Sequence, residues 1–178
     1  MQVSKVLLEL ADREAIRDVI LRYARSVDRV DENLMRSVYW EDAVDDHGNF
    51  QGKVSDFIAH VIPRLKTLDQ TVHLIGNVLI EIHGDAAAVE SYFQAYHRHP
   101  NASGTPRDIV IAGRYMDRME KRGGEWRIAY REVIWDWYRQ YEDSGDWANP
   151  PRGHYQTHHF PNDNSYKVFD TVRTGAFK

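Results

Sequence analysis

The sequence has no cysteine, which excludes a disulfide scaffold and any zinc site built on thiolates. It also lacks a basic stripe. Its 23 Lys and Arg are scattered and outnumbered by 27 Asp and Glu, for a net charge of −4. A nucleic-acid groove needs concentrated positive charge to replace condensed counterions, so no nucleic-acid partner is expected. No window approaches the roughly 18 apolar residues of a membrane span, and residues 1–10 lack a signal-peptide apolar core. A cytoplasmic protein without a membrane partner is expected. Gly-rich phosphate loops, nucleophile elbows and paired-histidine metal motifs are missing too, which removes most nucleotide, serine-hydrolase and zinc-protease readings. What the chain does have is aromatic residues: five Trp, ten Tyr and six Phe among 178 residues. Such a surplus suits a ligand pocket or an oligomer interface, with ordinary core as the plain alternative.

From Asp12, a reasonable N-cap with Glu14 in the first turn, apolar residues fall at Ile16, Val19, Ile20, Tyr23, Ala24 and Val27. This is the spacing of a helix with one buried face. Steps of four along it, Ile20 and Ala24, lead to Asp28, a carboxylate at the end of the buried line. A short helix from an Asp31 cap through Leu34 and Val38 follows, then a strand and turn over 43–50. A third helix runs from about 55 through Ile58, Val61 and Leu65, bent near Pro63. The period then changes. Segments 71–82, 87–99, 109–120 and 125–138 are rich in β-branched and aromatic residues, and Gly84-Asp85, residues 101–107 and Gly123-Gly124 separate them as sequential antiparallel hairpins. Helices followed by a meander define an α+β class, most simply a curved sheet around the helices whose open end can form a pocket. Residues 1–142 form this domain. Residues 143–178, rich in Pro, Asn, Asp, Ser and His with isolated aromatics at Trp147, Tyr155, Phe160, Tyr166 and Phe169, read as an irregular tail that packs on the domain or on a neighbouring subunit.

Two residues stand out chemically. Asp28 on a buried line costs several kcal/mol unless it is hydrogen-bonded or paired; its plain alternative is a solvent-facing salt bridge to Arg25 or Arg29. His73 stands among apolar neighbours on a central strand, where a lone histidine is more often a satisfied core group. If it faces the helices it can share a hydrogen bond with Asp28, and a carboxylate that fixes the tautomer is what a histidine base needs. His97 and His99 share one strand face, with Tyr92 and Tyr96 on the other. A three-residue loop over 84–86 sets His97 opposite His73, and a two-residue loop sets Tyr96 there; a one-residue slip flips every side chain, so both remain open. His154, His158 and His159 have a ligand-like spacing, but the Pro-rich context opposes a helix and no carboxylate completes a set. No metal is expected.

The run from Ile16 to Tyr23 and Asp28, the strand motif His73-Leu74-Ile75-Gly76-Asn77, and the turn Asp117-Arg-Met-Glu-Lys-Arg-Gly-Gly-Glu-Trp126 together resemble the SnoaL-like branch of the NTF2-like superfamily, over roughly 8–142. That resemblance implies a cystatin-like, NTF2-like cone of curved antiparallel sheet around N-terminal helices. It also implies the activities of its lyases, among them scytalone dehydratase, hexachlorocyclohexane dehydrochlorinase and bile-acid dehydratase. In those enzymes an aspartate ending the first helix and a histidine on the first long strand form a catalytic dyad, matched here by Asp28 and His73. Tyr23 matches a Tyr or Lys that polarises substrate or leaving group. A further pocket histidine is matched by His99, with His97 beside it, which favours the odd-numbered face of that strand. The chain departs from the pattern near Asp46 or His47, where a family tyrosine would fall. It departs again at Gly113 and Tyr115, which stand for Ser and Asn, and at Trp135, which stands for Arg.

The expectation is a cofactor-free lyase or isomerase, dehydratase- or dehydrohalogenase-like, in which the dyad takes a proton from a small, apolar, cyclic substrate. Asp28, His73 and Tyr23 are its catalytic candidates. Tyr39, Trp40, His97, His99, Tyr115 and Trp135 are candidates for the substrate pocket. Alternatives are the non-catalytic β subunit of an aromatic-ring dioxygenase and a small-ligand binding or assembly module. A dimer or trimer is expected in each case, to cover the convex face of the sheet.

Overall fold

The computed structural model describes residues 4–99, 107–142, 145 and 158–176. The first helix, α1 (Lys5–Arg29), buries Ile16, Val19, Ile20, Tyr23, Ala24 and Val27, as their spacing predicts. Its start differs from expectation. Ser4 is the cap, and Asp12 lies inside the helix, where its Oδ1 accepts from Lys121 Nζ at 2.7 Å and Trp126 Nε1 at 2.9 Å. Those two bonds to the far turn of the sheet, rather than a helix end, account for this aspartate. At the other end Val30 adopts a left-handed conformation, φ 52°, strained for a β-branched residue. The Asp31 N–H to Ser26 carbonyl bond of 2.9 Å and burial of the Val30 side chain hold it there. The chain therefore turns sharply two residues after Asp28.

Helix α2 (Glu32–Ser37) starts at the expected Asp31 cap, whose side chain accepts from Leu34 N at 3.0 Å. Strands β1 (Tyr39–Asp46) and β2 (Gln51–Lys53) flank a tight turn, and α3 (Val54–Leu65) packs Phe57, Ile58, Ile62 and Leu65 inward, with Pro63 in its last turn. Four long strands follow: β3 (Gln70–His83), β4 (Ala86–His99), β5 (Arg107–Arg122) and β6 (Glu125–Glu142). The order in the sheet is β2-β1-β6-β5-β4-β3. The meander is antiparallel as expected, but β1 runs parallel to β6. The cause is topological: α3 carries the chain across to the far edge, and the meander returns beside β1 on its fourth strand.

Neither register expected for the first hairpin is found. The loop is the two residues Gly84-Asp85, which alone would set Tyr96 opposite His73, but a bulge between Ile75 and Val78 shifts the pairing by one. His73 therefore faces Ala95, and Thr71 faces His97. Before the bulge odd-numbered residues point inward and after it even-numbered ones do, so His73 and Ile80 serve one interior. A second bulge lies between β5 and β6 at Gly113, where a Cβ would stand 2.1 Å from the Ile134 carbonyl oxygen. Only glycine fits there, and the close approach bends the sheet around the helices. The tail is not wholly irregular. Within it α4 (Asn164–Thr174), capped by Asp163, packs on α1 of its own chain. Tyr166 Oη donates to Asp31 at 2.9 Å, and the Arg25 guanidinium lies over the Tyr166 and Phe169 rings. Trp147, His154 and Tyr155 lie outside the described residues.

Candidate active site

The end of α1 and the start of β3 bring Asp28 and His73 together. Asp28 Oδ1 lies 2.7 Å from His73 Nδ1, and Oδ2 accepts from the His73 backbone N–H at 2.9 Å. The buried Thr71 hydroxyl adds a third donor at 3.3 Å. An ionised carboxylate only accepts, so Nδ1 carries the hydrogen, and in the neutral ring Nε2 then holds the lone pair. Both side chains are largely buried, 7% exposed for His73 and 13% for Asp28. The alternative pairing of Asp28 with Arg25 or Arg29 is absent: Arg25 binds Ser165, and Arg29 lies 3.5 Å from Asp163.

His97 lies beside this pair, its ring 5.5 Å from that of His73, with His99 6.4 Å further along the same face. His97 Nε2 is buried and has no hydrogen-bond partner. Burial, then the neighbouring His73 and His99, push its pKa down to about 4, against a smaller opposing effect of Asp28. It is therefore a neutral imidazole at neutral pH. Burial and Arg107 also lower His99.

At the open end of the cone a cavity of about 370 Å³ is lined by His97, His99 and Trp135 from the sheet, by Phe57, Val61 and Leu65 of α3, and by His47 and Phe50 of the β1-β2 turn. Asp28 and His73 do not line it. They open instead on a groove of about 280 Å³ between α1 and β3, with Leu21, Ala24 and Ile75. His97 lies between them, its ring 5.5 Å from that of His73 and part of the cavity wall. The expected single cavity is thus divided, because Phe93, Tyr115 and Tyr23 fill the middle of the cone.

Tyr39 and Tyr115, expected in the pocket wall, are core residues at 2% exposure. Tyr115 stacks on Phe93 at 4.4 Å, and Tyr39 Oη donates to Asp45 Oδ2 at 2.7 Å. They surround Arg131, which is wholly buried and bound twice, at 2.7 Å, by Asp117. Burial works against the Arg131 charge, but Asp117 and the ring faces of Tyr23 and Tyr115, about 4 Å away, outweigh it and keep the guanidinium charged. Trp40 is far from the cavity: its Nε1 donates to the Glu120 carbonyl at 3.0 Å and its ring lies between Arg122 and Arg127. Tyr23, also 2% exposed, does not line the cavity; burial raises its pKa well above the ordinary value, and its hydroxyl lies 3.4 Å from His47 Nε2. The α3 residues that do form the wall carry a sequence signal, the stripe Phe57, Val61, Leu65. His47, just past the end of β1, and its partner Asp45 carry no comparable signal; His47 enters the sequence reading only as a departure from the family pattern.

The model of the SnoaL-like domain matches residues 8–132. The chain belongs to the SnoaL-like family. A search of curated proteins finds no match. Among solved structures, the SnoaL-like chain is similar to a hexachlorocyclohexane dehydrochlorinase of type 3 from Novosphingobium barchaimii, with TM-score 0.68 and 22% identity over 83% of this chain and 100% of that one. It is similar to a putative scytalone dehydratase from Novosphingobium aromaticivorans, with TM-score 0.67 and 23% identity over 75% and 89%. It is also similar to an NTF2-like protein of cystatin-like fold from the same organism, with TM-score 0.60 and 26% identity over 73% and 85%. The fold is thus the α+β, NTF2-like cone. Among the described residues no helix is long and apolar enough to cross a membrane, and no group of three or more His, Cys, Asp or Glu could hold a metal ion.

Proposed function

We propose that this protein is a lyase or isomerase, dehydratase- or dehydrohalogenase-like, that needs no cofactor and acts in the cytoplasm on a small, apolar, cyclic molecule. The observation that carries the reading is the double hydrogen bond from His73, side chain and backbone, to the Asp28 carboxylate. It fixes the tautomer in which Nε2 is the free base. The substrate enters the 370 Å³ cavity, and its acidic carbon reaches Nε2 past His97, whose own Nε2 has no hydrogen bond to hold the ring in place. His73 takes the carbon-bound proton. A β leaving group then departs, or the proton returns elsewhere on the ring. Asp28 stabilises the imidazolium, and Tyr23 acts through His47 rather than on the substrate. The exposed Val72, Leu74, Leu79 and Tyr92 of β3 and β4 are covered by a second or third copy of the chain.

The test is solvent-deuterium exchange at the acidic carbon of cyclic ketones, halocycloalkanes and enone precursors. His73→Ala is expected to slow exchange by about 10²- to 10⁴-fold, the usual range for a general base, while remaining folded. Unchanged exchange in that variant would remove the base. The filled centre of the cone favours one other reading, a binding or assembly module. Tight binding of such compounds without exchange in the wild-type protein would establish it.

A further inference from the structure

Helices α1 and α4 face each other across a space that no described residue fills. α1 turns Asp18, Leu21, Arg22 and Arg25 toward it, and α4 turns Tyr166, Phe169, Asp170 and Arg173, each set at the i, i+3, i+4, i+7 spacing of one helix face. Facing helices ordinarily close to about 8 to 10 Å between axes and interdigitate. Here a cavity of about 610 Å³ lies between them, with Phe160 also in its wall. α4 buries none of its own residues, and a helix of 11 residues is marginal without packing. Polar anchors hold it instead: Tyr166 Oη donates to Asp31 at 2.9 Å, Arg25 Nη2 donates to Ser165 Oγ at 3.1 Å, and the Phe160 N–H donates to the Arg29 carbonyl at 2.7 Å. Leu21, Phe160 and Phe169 are left about half exposed around the cavity. Its volume falls within the range of small-molecule sites, about 300 to 1,000 Å³.

The charges in this wall are paired with one exception. Asp18 lies 2.7 Å from Arg22 and Asp170 lies 3.4 Å from Arg173. The buried Asp31 accepts the Leu34 N–H at 3.0 Å as well as the Tyr166 hydroxyl. Arg25 is left over, since no carboxylate among the described residues forms an ion pair with it. Ser165 takes one of its five N–H donors, and the Tyr166 and Phe169 rings, centred 4.7 and 4.8 Å from the guanidinium carbon, steady it without offering an acceptor oxygen. A planar fork held in this way is suited to a carboxylate. We propose that the cavity is a second binding site, for an aromatic carboxylate whose anion pairs with Arg25 and whose ring fills the space between Leu21, Phe160 and Phe169. The groove onto which Asp28 and His73 open is a different space, with β3 as its other wall, and shares only Leu21 and Arg25 with this one. The site therefore stands whether or not His73 is a base.

The test titrates the full chain with 2-naphthoate by calorimetry, with 2-naphthylmethanol as the uncharged analogue, and locates the bound ring by NOEs. Wild type is expected to bind the acid at least about 10-fold more tightly than the alcohol, with NOEs to Leu21 and Phe169. Arg25→Gln is expected to weaken the acid by about 10- to 100-fold, the usual worth of hydrogen bonds to a charged group, and to leave the alcohol within about threefold. Phe169→Ala is expected to weaken both. No binding of 2-naphthoate at millimolar concentration, equal binding of acid and alcohol, or NOEs only to Phe57 and His97 of the other cavity would each overturn the proposal. Equal loss of both compounds in Arg25→Gln overturns it too, because Arg25 would then serve only to hold α4 in place. The wild-type comparison needs no variant, so it decides the matter even where Arg25→Gln does not fold.

Discussion

Replacing Asp28 by Asn separates orientation from packing. The amide is isosteric, so its Oδ1 can still accept the His73 backbone N–H now bound at 2.9 Å, but the group 2.7 Å from Nδ1 becomes an NH₂. A donor facing Nδ1 selects the other tautomer, with the hydrogen on Nε2, and the base is blocked. Turnover is expected to fall by about 10²- to 10⁴-fold, equivalent to about 3 to 5 kcal/mol in the barrier. Stability is expected to change far less. Charge-assisted bonds become neutral ones, a loss of about 1 kcal/mol, or about 2 to 4 °C in Tm for a chain of this size. Asp28→Ala behaves differently, because it leaves the buried His73 N–H without a partner and Nδ1 with only the Thr71 hydroxyl at 3.5 Å, and costs about 3 to 5 kcal/mol. Urea unfolding and α-deuterium exchange on the same samples give both numbers. Wild-type exchange in Asp28→Asn, or an Asn variant as unstable as the Ala variant, would refute the orienting role.

His97 predicts an acid-sensitive fold. Its folded pKa of about 4 lies below its ordinary value, so between the two the unfolded chain binds more protons. Stability is therefore full above that ordinary value and falls as pH drops toward 4, by up to about 3 kcal/mol. The charged and titratable groups facing it are His73, His99 and Asp28, and His97→Gln is expected to flatten this part of the urea midpoint against pH curve. Arg131→Ala strands the buried Asp117 carboxylate and is expected to cost about 3 to 5 kcal/mol, read as a large drop in Tm.

Much of this site is legible in the sequence because it depends on local periodicity. The stripe Ile16, Ile20, Ala24, Asp28 puts the carboxylate on the buried side, and the apolar run around His73 puts the histidine on a central strand. What is not legible depends on single residues that break the period. The bulge between Ile75 and Val78 decides which face of β4 meets His73, and neither loop length anticipates it. Trp40, Tyr39 and Tyr115 match a pocket wall by residue type. Whether an aromatic lines a cavity or fills a core, however, depends on sheet curvature set by the bulges, which composition does not encode. Asp12 shows the same limit from the other side: a good cap by type, it is recruited by Lys121 and Trp126 from more than a hundred residues away. His47 was visible only as a departure from a family pattern, and its partner Asp45 became visible only once the strand face was known.

The most direct measurement is a crystal structure with cyclohex-2-enone bound, read as the distance from His73 Nε2 to the α carbon of the ring. The account predicts the ring in the cavity between His97 and His47, with the His97 side chain turned aside and that distance at about 3 to 3.5 Å, as for reacting atoms poised to meet. A ring held in the cavity with His97 unmoved between it and His73 would contradict the assignment of His73 as the base.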